Sequence, residues 1–86
     1  MAHHASAEKR DRQRIKRTAR NRAIRSAVRT SVKHVRVAIE KKNKEEAKKA
    51  LVGAVRALDR AASKGVVHRR TASRTVARLS IAVHKL

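Results

Sequence analysis

The chain has 86 residues, with 25 Lys and Arg against 6 Asp and Glu, a formal net charge of +19 and a pI near 12. So large an excess of one sign destabilises a compact state by self-repulsion and predicts a polyanionic partner, of which nucleic acid is the first candidate. The absence of Phe, Trp and Tyr excludes modules that stack single-stranded bases on aromatic side chains. The absence of Cys excludes disulfides and thiolate zinc sites.

No apolar run is long enough to span a membrane, and residues 1–10 lack the apolar segment of a signal peptide, so we expect an intracellular protein. Proline is absent and glycine occurs only at Gly53 and Gly65. The composition therefore favours helices with few stops.

The first predicted helix covers residues 8–42. Beyond Asn21 its apolar residues fall three and four apart and form one core-facing stripe, which consists of Ile24, Ala27, Val28, Val32, Val35, Ala38 and Ile39. A narrower arc beside it is cationic and is called the cationic stripe; it consists of Arg22, Arg25, Arg29, Lys33 and Arg36. Before Asn21 the cations point in all directions around the helix axis, and Ile15 is the one large apolar residue. This half of the helix therefore has no apolar face that could pack against the rest of the protein.

The sequence Asn43-Lys44-Glu45-Glu46 predicts the start of a second helix, because Asn43 would accept an orphan backbone N–H and Glu46 would reach back to the cap. Its predicted core face consists of Ala47, Ala50, Leu51, Ala54, Val55, Leu58, Ala61 and Ala62. Gly53 costs about 1 kcal/mol of helix propensity relative to Ala, which this pattern can absorb. Gly65 can adopt the left-handed conformation and is followed by the apolar Val66. This pair predicts that the second helix ends in a Schellman motif.

The third predicted helix covers residues 68–85, with His68, Thr71 or Ser73 as its cap. Its apolar side consists of Ala72, Val76, Leu79, Val83 and Leu86. The nearly opposite side is cationic and consists of Arg70, Arg74, Arg78 and Lys85. Because short connections reverse the chain, we predict an all-α fold, an antiparallel three-helix bundle whose long first helix overhangs its partners. The chain is predicted to be one domain, residues 1–86, in which residues 1–20 form an extension that RNA orders.

The cations are concentrated on the first and third helices. Up to Arg36 the chain has twelve Lys and Arg against Glu8 and Asp11, whereas an ordinary solvated helix mixes Glu with Lys in i, i+4 pairs. Fifteen of the 25 cations are Arg, whose planar fork binds phosphate oxygens bidentately. Contact with the backbone of structured nucleic acid is therefore favoured over a solvated face.

No catalytic set and no metal site is predicted, and no cofactor is expected. Three histidines stand without a second ligand at metal-binding spacing: His34, His68 and His84. The pair His3-His4 would hold a divalent ion only weakly. Ser63, Thr71 and Ser73 are better explained as caps and turn formers than as nucleophiles, because no neighbouring acid or base completes a catalytic set.

Two stretches carry a resemblance to a known family. One reads Ala57-Leu58-Asp59-Arg60-Ala61-Ala62-Ser63-Lys64-Gly65-Val66-Val67-His68-Arg69, followed by Thr71-Ala72-Ser73-Arg74. The other reads Ser6-Ala7-Glu8-Lys9-Arg10, an Arg-rich stretch to Arg22, and Arg25-Ser26-Ala27-Val28-Arg29-Thr30. Over nearly the whole chain the sequence is similar to the bacterial small-subunit ribosomal protein family numbered twenty, and it departs from that pattern at His3-His4 and in the more apolar tail after Arg74.

The resemblance implies a three-helix bundle in the cytoplasm, on the ribosome, that binds 16S ribosomal RNA early in assembly. It implies contact with the 5′ domain and the long penultimate helix, beside other small-subunit components. It also implies RNA contacts at Ser6, Lys9, Arg10, Arg14, Arg17, Arg22, Arg25, Arg29, Lys64, Gly65 and His68. The cationic faces identified by periodicity add Lys33, Arg36, Arg70, Arg74 and Arg78, and the Arg-rich stretch before Asn21 adds Arg20.

Two other classes fit the composition less well. A small nucleoid-associated protein that compacts DNA would also be basic, helical and poor in aromatic residues. A helix that lies on a membrane surface would need Trp, Phe or Leu anchors that the cationic segments lack. Competition between ribosomal RNA and duplex DNA is the measurement that separates the first alternative from the ribosomal hypothesis.

Overall fold

A computed structural model describes the backbone of residues 2–86 and the side chains of residues 5–86, and within that part it contains helices and no strand. The helices are α1 (Ala2–Glu40), α2 (Lys44–Ser63) and α3 (Arg69–His84), which confirms the predicted all-α fold. None of these helices is long and apolar enough to cross a membrane. The molecule measures 63 × 21 × 14 Å. The long dimension is that of α1, whose 39 residues extend over about 58 Å at 1.5 Å per residue.

The connection between α1 and α2 is a tight turn. α1 begins at Ala2, earlier than predicted, and ends at Glu40. Asn43 caps α2 as predicted, since its side-chain oxygen accepts a hydrogen bond from the Glu46 backbone N–H at 3.2 Å. The predicted return contact from the Glu46 side chain is wrong: the Asn43 N–H instead donates to the Ala38 carbonyl at 3.1 Å. The backbone donor that a capping box would satisfy is already occupied by α1.

The connection between α2 and α3 is the predicted Schellman turn. Gly65 has φ of 73°, the left-handed conformation that glycine adopts without a Cβ clash. The Val66 N–H donates to the Ala61 carbonyl at 2.9 Å, and the Gly65 N–H donates to the Ala62 carbonyl at 3.0 Å. Among the three candidate caps of α3 the structure selects His68, whose Nδ1 accepts from the Arg70 N–H at 3.1 Å.

The core lies where the C-terminal part of α1 meets the start of α2 and the end of α3. Its buried members come from all three helices: Val35, Ala38, Ala47, Ala54, Leu79 and Val83. This pairing of residues is that of an antiparallel bundle, in which the end of one helix lies beside the start of the next. α2 packs along both of its partners, while α1 and α3 meet over a small area. Alanine at three fully buried positions of α2, Ala47, Ala54 and Ala61, lets the helices approach closely.

The burial pattern confirms most of the predicted core and corrects part of it. Leu58 and Leu79 are buried as predicted, but the Leu51 and Val55 side chains are half-buried. Ala27, predicted to face the core, is exposed. It lies at the edge of the α1 stripe, beside an open groove between α1 and α2, because the two neighbours of α1 cover only part of its circumference.

The first half of α1 overhangs the bundle, as predicted. Every residue from 5 to 20 is exposed, and Asn21 is the first half-buried position among residues 5–86. Ile15, the one large apolar side chain of this segment, is 60 % exposed. Burial of apolar surface therefore does not stabilise the helix over these residues. The helical conformation of this segment depends on helix propensity and on contacts with a binding partner.

Candidate nucleic-acid interface

The side chains predicted to contact RNA all lie on the surface. The exposed set consists of Ser6, Lys9, Arg10, Arg14, Arg17, Arg20, Arg22, Arg25, Arg29, Lys33, Arg36, Lys64, Gly65, His68, Arg70, Arg74 and Arg78. The fold divides them into four groups: the overhang of α1, the cationic stripe, the α2–α3 turn and the outer face of α3. Each group is solvent-accessible without any change in the bundle.

The cationic stripe is the most regular of these groups. Its five residues recur three or four apart on one unbroken helix and stay within an arc of about 80° around the axis of α1. The stripe spans about 21 Å along that axis. The core contacts of the same turns, made by Val32, Val35 and Ile39, anchor α1 against α2 and α3. A rigid helix therefore presents a straight row of cations to one side of the molecule.

These cations are almost free of intramolecular ion pairs. Within residues 5–86 one ion pair is formed, between the Arg14 Nη2 and the Asp11 Oδ1 at 2.7 Å. Both of these side chains are well exposed, so the pair contributes little to stability. The other guanidinium and ammonium groups keep their donors available. A polyanion can bind them without first displacing a carboxylate.

The α2–α3 turn combines structural and potential binding roles. His68 is engaged through Nδ1 as the cap of α3, so only Nε2 is available to a ligand. The Lys64 side chain is exposed one residue before Gly65. A methyl group built at Gly65 would meet nothing within 4 Å, so the glycine is required by its positive φ and by no crowding within the protein.

The outer face of α3 differs from a purely cationic surface. Ile81 is 56 % exposed and lies at helical spacing from Arg74, Arg78 and Lys85. An apolar side chain thus interrupts the row of cations toward the end of α3, consistent with the more apolar tail of the sequence.

Two arginines outside the predicted set belong to another cationic surface. Arg56 and Arg60 of α2 line an open cleft against α1, with Ala23 and Ala27 on the opposite wall. They were missed because the net charge of the second segment is low, with four of the six acidic residues in residues 37–65. Their i, i+4 spacing was the available signal, but the identity of the facing α1 residues depends on the tertiary structure.

The charged and imidazole side chains of residues 5–86 do not converge on a metal site. No group of three or more His, Asp or Glu side chains within the described residues is arranged to hold a metal ion. The side chains of His3 and His4 lie outside the described residues. The chemistry that the described surface offers is the binding of anions by Arg and Lys.

Fold and surface together define a small helical protein with extended, unpaired cationic faces. The model of the family described as ribosomal protein S20 matches residues 2–84, and the chain belongs to that family. The chain is 51% identical over 86 residues to the small ribosomal subunit protein bS20 of Nitratidesulfovibrio vulgaris, with 100% of this chain and 99% of the relative covered. It is 56% identical over 85 residues to that of Sorangium cellulosum, covering 99% and 89%, and 57% identical over 79 residues to that of Syntrophotalea carbinolica, covering 92% and 91%.

Proposed function

We propose that this protein is a structural constituent of the small ribosomal subunit that binds 16S ribosomal RNA directly and stabilises its fold during assembly. Its role is that of an RNA-binding structural component and not of an enzyme. The RNA segments proposed for it are the 5′ domain and the long penultimate helix, and its place in the cell is the ribosome in the cytoplasm.

The observation that supports this proposal most strongly is the combination of family membership over residues 2–84 with the unpaired cationic stripe. Arg and Lys bind RNA chiefly through phosphate oxygens, and a chain without aromatic side chains has no platforms for stacking unpaired bases. Shape and backbone of folded RNA are therefore the features that this surface recognises.

Competition binding tests the proposal against compaction of DNA. The full-length protein is titrated with 16S 5′-domain RNA in the presence of duplex DNA of equal total charge, at near-physiological salt. We expect the RNA to be retained, because the cationic groups are arranged for a particular folded RNA. Equal displacement by DNA would contradict the proposal and favour the nucleoid-associated alternative.

Neutralising one residue of the cationic stripe should weaken RNA binding without changing sequence preference. We expect Arg29→Gln to lower affinity for matched and altered base sequences about equally, because a phosphate contact carries no base information. The slope of log affinity against log salt should fall by about one or less. The control is Lys48→Gln, an equal loss of charge on α2 near Glu45. If both variants bind equally weakly, the stripe has no positional meaning.

RNA binding should order the overhang of α1. We expect residues 9–20 to fray in the free protein, since mutual repulsion opposes the helix and no burial offsets the lost conformational entropy. NMR chemical shifts and amide exchange, recorded with and without the RNA, measure this directly. Helical shifts and slow exchange over these residues in the free protein would contradict it.

A further inference from the structure

A groove runs between α1 and α2, and a cationic cleft forms one part of it. The cleft has a volume of about 430 Å³ and is lined by Ala23, Ile24, Ala27, Arg56, Ala57 and Arg60. A second cleft of about 480 Å³ has Ala50 of α2 and Val37 of α1 among its lining residues. The two clefts follow one another along the α1–α2 interface, because in the antiparallel packing the α2 wall moves from Arg60 back to Ala50 as the α1 wall advances. Both clefts are open to solvent.

The polar groups at the first cleft are two guanidinium groups without a carboxylate partner. Arg56 and Arg60 lie one turn apart on α2, and within the described residues neither forms an ion pair. Ala23 and Ala27 opposite are exposed and short, so nothing on α1 covers the arginine side chains. The two arginines can each donate two hydrogen bonds, and the alanines beside them form a shallow apolar surface. This combination matches a sugar–phosphate strand, whose phosphate oxygens can accept from the arginines while the carbon atoms of its riboses lie against the alanines.

Gly53 extends the same face of α2 by one turn. Gly53, Arg56, Ala57 and Arg60 stand at i, i+3, i+4 and i+7. Glycine is unfavourable inside a helix, yet a methyl group built at Gly53 would meet nothing within 4 Å. Packing within the protein therefore does not account for this glycine. Close approach of a ligand to the helix backbone would account for it.

We propose that the Arg56–Arg60 cleft binds one sugar–phosphate strand of the ribosomal RNA, with phosphates on the two arginines and riboses against the alanines, and that Gly53 makes room for it. This inference rests on the proposed function and adds a contact surface to it. The Arg56–Arg60 cleft shares no residue with the cationic stripe, although Lys33 of the stripe lines the second cleft.

The test compares the double variant Arg56→Gln/Arg60→Gln with Lys44→Gln/Lys48→Gln, which removes two cations at the same spacing from α2 outside both clefts. Affinity for 16S ribosomal RNA is measured over a salt series. We expect the arginine variant to bind about tenfold or more weakly and the salt slope to fall by about two. The lysine variant should change affinity by less than about threefold. Equal losses in the two variants, or an unchanged arginine variant, would overturn the proposal.

Gly53→Leu provides a second measurement that a purely structural effect would not reproduce. A Cβ atom at this position meets nothing within 4 Å and Leu has a higher helix propensity than Gly, so the melting temperature should rise while RNA affinity falls about tenfold. Val52→Leu, at a neighbouring position that is already 54 % exposed, should leave affinity unchanged. Wild-type affinity in Gly53→Leu would contradict the cleft proposal. A wild-type protein that does not prefer ribosomal RNA to duplex DNA would instead contradict the proposed function itself.

Discussion

Leu58→Ala should destabilise the bundle by about 2 to 5 kcal/mol. Leu58 is 2 % exposed, and most other buried side chains are alanines, so the surrounding helices have few large groups with which to fill the cavity. Stabilities of small domains begin at about 5 kcal/mol, so this one substitution is expected to remove a large part of the folding free energy. Thermal and denaturant unfolding of the free, full-length protein measure the effect.

Val52→Ala is the matched control for Leu58→Ala. Val52 is on the same helix but 54 % exposed, so its truncation leaves no cavity, and alanine has the higher helix propensity. We expect the unfolding midpoint of this variant to stay close to that of the wild type. Should Leu58→Ala unfold at the same midpoint as Val52→Ala, the face of α2 placed inside the bundle would be the wrong one.

Deleting residues 1–20 should reduce RNA affinity by about a hundredfold or more at near-physiological salt. The deletion removes seven Lys and Arg, together with the two acidic residues Glu8 and Asp11. Each lost phosphate contact lowers the salt slope, so the dependence of affinity on salt should become markedly shallower. The bundle itself should keep its melting temperature, because every residue from 5 to 20 is exposed and packs on nothing.

A full-length charge variant separates the effect of the cations from that of the length of α1. Arg10→Gln, Arg14→Gln, Arg17→Gln and Arg20→Gln are combined in one chain, where Gln keeps a high helix propensity and removes four charges. This variant should bind RNA with an affinity between those of the wild type and the deletion. If the deletion binds RNA as tightly as the wild type, or if its bundle melts well below the wild type, the overhang does not have the role assigned to it.

Much of the local structure follows from nearest-neighbour chemistry and was predictable for that reason. Asn43 at the start of α2 and Gly65 at its end act through hydrogen bonds within a few residues of the chain. The helical periods that place Leu58 and Leu79 inward, and the cationic stripe outward, repeat within single helices. The length mismatch between α1 and the other helices likewise predicts the overhang without any knowledge of packing.

The features that needed the tertiary structure depend on which faces of different helices meet. Ala27 has the spacing of a core residue and is exposed, because α2 and α3 cover only part of the surface of α1. Asn43 donates its backbone N–H to Ala38, so the position of the end of α1 decided that Glu46 would not complete the cap. The Arg56–Arg60 cleft has its second wall on α1, about thirty residues earlier in the chain, and helical periodicity describes one helix at a time. Packing between helices, which depends on side-chain shape across the interface, therefore decided where the grooves lie.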